Sequence, residues 1–440
     1  MNINFKCLFG SIYGLLFPFL VLAQHASQPL RLEDLFNLAD SGNRELTLHS
    51  LQEQIATSRL KEQTDKRLPN LETSLTASYM GNGYITDRDF SNGMSIPIPK
   101  LGNSFSIEAQ QLIYTGGAVK QSISLAKDDI TQATLSSEES KQRLRFLIAG
   151  HYLELQKLSN QRTILEKNIQ QTLKMIDQIN QKLAQGVALK NNVTRYELQL
   201  EYLQTSLLKV ENAKTIRLKE LRLLLQYPAN VDLNVAFEES LFEESDSVDT
   251  KVWKDIAMER SPILMQAALN VVQAEKRQKL VRAERYPQIF AFAGNYLNGP
   301  VMIEIPILNN NFNYWTAGVG IKYSLSSIYK NKAKEARAKL ALENAEELNR
   351  INQDQLMLAV ERTLIQYEET LAVHQSHLKA LDLANQNYTI VKNRFLNDMV
   401  LMTEMLDAEN SQIDASLQAS NSKINILFQL FHLKQLTGTL

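Results

Sequence analysis

The stretch Lys66-Arg67-Leu68-Pro69-Asn70-Leu71-Glu72-Thr73-Ser74-Leu75-Thr76-Ala77-Ser78-Tyr79 decides the fold. Its first residues close a polar helical pattern, and Pro69 ends it, because proline lacks an amide donor and pushes the preceding residue out of the helical region. From Leu71 the chain alternates. Leu71, Thr73, Leu75, Ala77 and Tyr79 fall on one face and Glu72, Ser74, Thr76 and Ser78 on the other, the period of two of a strand. A partner run from Ser104 to Ile113 sets Phe105, Ile107 and Ala109 against Ser104, Ser106 and Glu108. Runs of about 10 residues are long enough for a tilted strand to cross a bilayer. A half-buried soluble sheet alternates in the same way. The aromatics near the strand ends, Tyr79, Tyr114, Tyr296, Tyr314, Trp315 and Tyr323, favour the membrane by suggesting an interfacial girdle.

The same junction recurs as Glu284-Arg285-Tyr286-Pro287-Gln288-Ile289. Ile96-Pro97-Ile98 is echoed by Ile305-Pro306-Ile307, and Lys182-Leu183-Ala184-Gln185-Gly186 by Arg394-Phe395-Leu396-Asn397-Asp398. The offsets stay near 210 to 220 residues, so the chain reads as two copies of one unit. Each copy runs helix, strand, loop, strand, very long helix, turn, long helix. The second copy's strands are Gln288 to Leu297, which is more apolar on both sides, and a run in which Trp315, Ala317, Val319, Ile321 and Tyr323 alternate with Thr316, Gly318, Gly320 and Lys322. Long loops rich in Gly, Asn and Pro, residues 81–103 and 298–312, join each strand pair and suit an exterior surface. Gly116-Gly117 permits the exit from strand to helix in the first copy, whereas the second has Ser326-Ser327.

The helices carry a second pattern. Leu155, Leu158, Leu165, Ile169, Ile176, Ile179 and Leu183 recur in steps of three and four, with Arg162 and Thr172 filling the gaps. Val193, Tyr196, Leu200, Leu203, Leu207 and Val210 return along the next helix. Val360, Leu364, Tyr367, Leu371, Leu378, Leu381 and Tyr388, then Leu406, Ile413, Leu417, Ile424, Leu427 and Phe431, repeat the scheme in the second copy. A sustained heptad predicts supercoiled helical hairpins whose broad polar flanks face water or neighbouring subunits.

Composition bounds the function. The 440 residues carry 47 Lys+Arg against 48 Asp+Glu, a balance that argues against a dedicated nucleic-acid binder. Residues 1–23, with Lys6 ahead of an apolar run ending Val21-Leu22-Ala23, read as a secretory signal peptide. Its removal takes Cys7, the single cysteine, leaving no thiol for a disulfide, nucleophile or metal site. No later run of 18 apolar residues offers a spanning helix. The expected domains are 24–230 for the first repeat, 231–250 for an acidic connector and 251–440 for the second repeat. His374 and His377 stand at i, i+3, but His374 lies on the heptad seam and no carboxylate motif accompanies the pair. No phosphate loop, nucleophile elbow or zincin motif is present, so neither an enzyme nor a cofactor is expected.

Over essentially the whole mature chain these features resemble the outer-membrane efflux protein family, the TolC-like exit ducts. The resemblance rests on the duplication, the junctions at Leu68-Pro69-Asn70-Leu71 and Tyr286-Pro287-Gln288-Ile289, the strand exit Leu112-Ile113-Tyr114-Thr115-Gly116-Gly117, and two hairpin tips. In the first tip Leu183 stands where the family has an aromatic residue, and Asn192-Val193 replaces Asp-Val. In the second, Met405-Leu406-Asp407-Ala408 matches the family's Leu-Asp-Ala ending, with Asp398 where a glycine is usual. The implied fold is mainly α with transmembrane β: antiparallel coiled-coil hairpins plus four membrane strands per chain. Four strands cannot close a barrel, whereas three copies supply twelve.

The resemblance implies a passive homotrimeric duct in outer-membrane lipid with a periplasmic helical extension, docked to a periplasmic adaptor and an inner-membrane transporter. The helix–strand junctions are Pro69, Gly116, Gly117 and Pro287. Glu404 and Asp407 match the acidic positions of the family's constriction; at i and i+3 they share a helix face, and in three chains they would form a carboxylate ring favouring cations. Gly186, Val187, Ala188 and Leu189, with Met399, Val400 and Leu401, are the implied adaptor-docking turns. The competing reading is a periplasmic coiled-coil adaptor or scaffold whose strands form a small soluble domain.

Overall fold

The computed structural model describes residues 29–238, 250–304 and 307–440. The expected signal peptide with Cys7, the Ile305-Pro306 echo and residues 239–249 of the acidic connector lie outside them. The chain is two passes through one plan. Helices α1 (Leu32–Gly42) and α2 (Arg44–Asp65) lead to strands β1 (Asn70–Tyr79) and β4 (Leu101–Tyr114), then to helices α3 (Ala118–Ala184) and α4 (Lys190–Leu225). Helices α5 (Thr250–Arg260) and α6 (Pro262–Ala283) then lead to β5 (Gln288–Gly299), β6 (Phe312–Lys322), α7 (Ser327–Leu396) and α8 (Met402–Leu436).

The duplication is quantitative. Helices α1 and α5 have 11 residues each, α2 and α6 22 each, α3 and α7 67 and 70, α4 and α8 36 and 35. Each short–long break also has its own device. Asn43 caps α2, its Oδ1 accepting from the Glu45 amide at 2.8 Å while its Nδ2 donates to the Leu224 carbonyl. In the second copy Ser261 precedes Pro262, a residue preset for the first helical turn.

The long helices persist because no proline interrupts them, and at about 1.5 Å per residue α3 and α7 each reach about 100 Å. Their burial is a narrow stripe along the heptad seam. Leu155, Leu158, Leu165, Ile169 and Ile179 of α3 and Val193, Tyr196 and Leu203 of α4 are buried. In the second hairpin Val360, Leu364 and Tyr367 on α7 and Ile413, Ile424, Leu427 and Phe431 on α8 are buried, but the seam members Leu371 and Leu378 are exposed. Midway along, α1, α3, α4 and α8 meet in the largest core, built on Leu35, Ile148, Tyr152, Leu221 and Leu427. Each such aliphatic side chain stabilises by about 1.5–3 kcal/mol. The connector begins docked on this core: the Tyr152 hydroxyl donates to the Ala236 carbonyl at 3.1 Å and accepts from the Glu238 amide at 3.0 Å.

The strands form one antiparallel sheet in the order β1-β4-β5-β6, so β1 and β6 are both edges. The register sorts its faces. Leu75 pairs with Phe105, Phe105 with Leu297, and Asn295 with Trp315, placing Leu71, Leu75, Tyr79, Leu101, Ile107, Trp315, Val319 and Ile321 on one apolar face. Opposite lie Glu72, Ser74, Thr76, Ser104, Ser106 and Glu108. The aromatics do not form a single girdle as expected. Tyr79 and Trp315 lie on the apolar face, whereas Tyr296 and Tyr314 pair with each other on the polar face, their rings stacked 5.1 Å apart. Phe290 and Phe292 share that face, lying across Gly320 and Gly318, which is why Gln288 to Leu297 reads as apolar on both sides. The loop from residue 81 also holds an unexpected ribbon, β2 (Gly83–Ile85) paired with β3 (Met94–Ile96), too short for alternation to register in the sequence.

The two strand-to-helix exits differ. Gly116 and Gly117 have φ of 63° and 87°, a left-handed pair that only glycine adopts readily, whereas Ser326 is right-handed helical at φ −65°. A Cβ on Gly116 would lie 2.6 Å from the Ala283 carbonyl oxygen and 2.7 Å from the Tyr286 Cβ, so one copy's exit packs on the other's Pro287 junction. A Cβ on Gly117 would meet nothing within 4 Å. Gly117→Ala should therefore cost about 1 kcal/mol and Gly116→Ala about 3 kcal/mol, strain plus overlap, in thermal unfolding followed by helix dichroism in detergent. Equal losses would contradict the packed junction.

Candidate functional site

Both helical hairpins turn at the same end of the molecule, and the turns are built alike. After α3, the Gly186 amide donates to the Leu183 carbonyl and the Val187 amide to Lys182. After α7, the Asp398 amide donates to Phe395 and the Met399 amide to Arg394. These paired bonds close orphan carbonyls at a helix end and require a left-handed residue. Gly186 supplies it at φ 78° and Asp398 at φ 60°. Asp398 thus keeps the turn despite its Cβ, and its carboxylate accepts from Lys182 Nζ at 2.7 Å. Lys182 also donates to the Leu396 carbonyl at 2.9 Å, tying one tip to the other.

Between the turns lies a cleft of about 380 Å³ lined by Val187, Leu189, Asn192, Arg195, Phe395 and Leu401 among others. Val187 is 62% exposed and Leu401 68%; Gly186, Leu189 and Met399 are likewise exposed, Ala188 and Val400 half-buried. Leu183 and Asn192, the departures in the first tip, occupy half-buried positions without disturbing its turn. Glu404 and Asp407 are exposed on the first turns of α8, where negative charge also suits the helix N-terminus. Met402 and Met405, on the opposite side of α8, are buried with Ile179, Val193, Tyr196 and Tyr388 from the other three helices.

One residue of this region escaped the sequence reading. Glu409 is 1% exposed, and the Thr172 hydroxyl donates to its Oε1 at 3.1 Å. Its signal was present, because Glu409 falls three residues after Leu406 and four before Ile413 on the heptad seam, a core position occupied by an acid. A second polar link, Gln199 Nε2 donating to Asn410 Oδ1 at 2.7 Å, also joins the hairpins here. By contrast His374 holds the Ser422 hydroxyl at 2.9 Å, and burial lowers its pKa. Among the described residues no group of three or more His, Cys, Asp or Glu is placed to hold a metal ion.

At the turn, Asp398→Gly removes both the left-handed strain and the ion pair, so melting in detergent should shift by less than about 1 kcal/mol. Asp398→Ala keeps the strain and loses the pair, and should be less stable than the glycine variant by about 1 kcal/mol. Indistinguishable variants would contradict the turn assignment.

Residues 253–439 match the family model described as outer membrane efflux protein. No curated protein matches the sequence. Among solved structures, the outer membrane protein VceC of Vibrio cholerae superposes with a TM-score of 0.77 at 14% identity, over 92% of this chain and 96% of that one. CusC gives 0.78 at 14% identity over 92% and 91%, and the MtrE outer membrane channel of Neisseria gonorrhoeae 0.74 at 16% over 93% and 89%. Residues 253–439 thus match the model of the outer membrane efflux protein family, and over 92–93% of its length the chain shares the fold of these solved outer-membrane proteins.

Proposed function

We propose that this chain is the outer-membrane exit duct of a tripartite efflux or type I secretion system, a passive channel made by three copies. The observation that carries the reading is the sheet: four strands, two unpaired edges and one largely apolar face, interrupted by Asn103, Asn295 and Asn313 towards one end. Leu75 is 78% exposed and Trp315 74%, a combination poorly suited to water and well suited to lipid. Lipid in turn forbids open strand edges, so the sheet needs partners, and copies of itself are the simplest supply. The polar face, with Glu72 and Glu108, then lines the bore.

The helices support the same stoichiometry. Their narrow buried stripe leaves Leu198 and Tyr202 of α4 and Ile365, Leu383 and Ile390 of α7 exposed, and a neighbouring copy would cover them. In a closed tube Glu404 and Asp407 form a carboxylate ring at the inner end, and the apolar turns around Val187 and Leu401 are left free for a periplasmic adaptor that couples the duct to an inner-membrane transporter. No step makes or breaks a covalent bond; the protein supplies a path, and the pump the driving force.

Reconstituted in planar bilayers, the protein should conduct with a preference for cations, and Glu404→Ala with Asp407→Ala should bring the cation-to-anion permeability ratio towards unity. Unchanged selectivity would remove the ring from the mechanism, and absence of conductance the duct itself. Val187→Asp with Leu401→Asp should abolish efflux in cells while oligomers remain; retained efflux would refute docking at the turns.

A further inference from the structure

Among the described residues Glu409 is the only acidic or basic side chain that is buried. It sits seven residues into α8, about 10 Å from the turn, where all four long helices meet. Thr172 faces it from α3, Tyr196 from α4, and Tyr388 with Lys392 from α7. The Tyr196 hydroxyl stands beside the carboxyl without meeting hydrogen-bond geometry, leaving Thr172 as the donor that ties it across the hairpins. Lys392, whose ammonium lies 5.5 Å above the Tyr388 ring, is the cation that influences it. Nothing in the conduction path requires an acid at this place, and a leucine would continue the seam with less desolvation.

We infer that Glu409 is a carboxyl latch between the two helical hairpins, holding the inner end of the molecule shut with its proton on and loosening it with its proton off. The inference rests on the duct reading for its purpose, but its geometry lies within one chain. Protonated, the carboxyl is neutral and tolerates an apolar site. Ionised, it is a charge in that site, met by the Thr172 hydroxyl, the adjacent Tyr196 phenol and a nearby ammonium.

The direction of the pH response follows. Burial pushes the Glu409 carboxyl up from its ordinary value, against the smaller pulls of Thr172, Tyr196 and Lys392. Splayed hairpins would hydrate it and return it to the ordinary range. The packed arrangement therefore binds the proton more tightly. Its full stability is present below the ordinary carboxylate range and is lost as pH rises from there through the raised value. Acid seals the tip, and rising pH loosens it. The same burial raises the phenols of Tyr196 and Tyr388, which stay neutral throughout.

The test is the distance between the two turns of one chain, read from doubly labelled chains diluted into unlabelled ones. Spin labels on Gln185→Cys and Asn397→Cys, in a Cys7→Ser background, report the separation of the two turns in detergent-purified protein. Between about pH 5 and pH 8 the distribution should shift to longer distances, and Glu409→Gln, neutral at every pH, should lose the shift and keep the acid distribution. Thr172→Val removes a bond that favours the charged form and should move the midpoint to higher pH. A Glu409→Gln protein that widens with pH as the parent does, or an unmoved midpoint in Thr172→Val, would overturn the latch. Conductance separates the two proposals. A protein that conducts with a pH-invariant distance loses the latch and keeps the duct, and one that never conducts while the distance still shifts loses the duct and keeps the latch.

Discussion

The unpaired backbone of a sheet edge is the constraint on which this structure depends. β1 and β6 each leave a row of amides and carbonyls without partners, and between them runs a face of exposed Leu, Ile, Val and Trp. In water the face is unfavourable; in lipid the edges are, because no solvent there can satisfy them. Continuation of the sheet from copy to copy, as proposed above, would resolve both. In that proposed assembly a polar interior, lateral association of the helices and the position of the tips at the far end would follow from closure. An edge-to-edge ring fixes which face of each hairpin looks inward, and long helices in register with their strands carry the same ring about 100 Å away.

Duplication makes such a ring economical, and the places where the copies differ are informative. Helix lengths agree to within three residues, yet the exits from strand to helix use Gly116-Gly117 in one copy and Ser326 in the other. The turns share one hydrogen-bond pattern but place glycine in one and Asp398 in the other. A left-handed aspartate is tolerable at about 1 kcal/mol, and here its carboxylate reaches Lys182 of the opposite tip. Asp398 is largely solvent-exposed, so the value of the pair lies in orienting the tips more than in stability. Glu409 and Thr172 form the deeper cross-link of the same two hairpins, shielded from water.

Much of this was legible in the residues. Period-two alternation from Leu71 and the heptads from Leu155 name the strands and hairpins because both signals repeat over many turns. Short or conditional features were harder to read. The β2–β3 ribbon spans three residues on each side, below the length at which alternation is visible. The sidedness of Tyr296, Tyr314, Phe290 and Phe292 depends on strand register, which pairs them with Tyr314, Tyr296, Gly320 and Gly318 on the polar face. At the tip, Glu404 and Asp407 were recognisable from their match to a family ending. Glu409 is hard to recognise because an acid near two exposed acids reads as solvated, although its seam position sets it on the opposite side of α8. Burial of a charge is a property of four helices meeting, which no single helix pattern records.

Closure of the sheet between copies is tested most directly by cross-linking its edges. Within one chain β1 and β6 are separated by two strands, about 14 Å, well beyond the reach of a disulfide. Paired cysteines scanned along β1 from Ser74 and along β6 from Thr316, in a chain without Cys7, can therefore bond only between copies. The account predicts one register at which oxidation in membranes yields a covalent species of three chains and nothing larger. Monomer at every register, or an unbounded ladder of products, would contradict it.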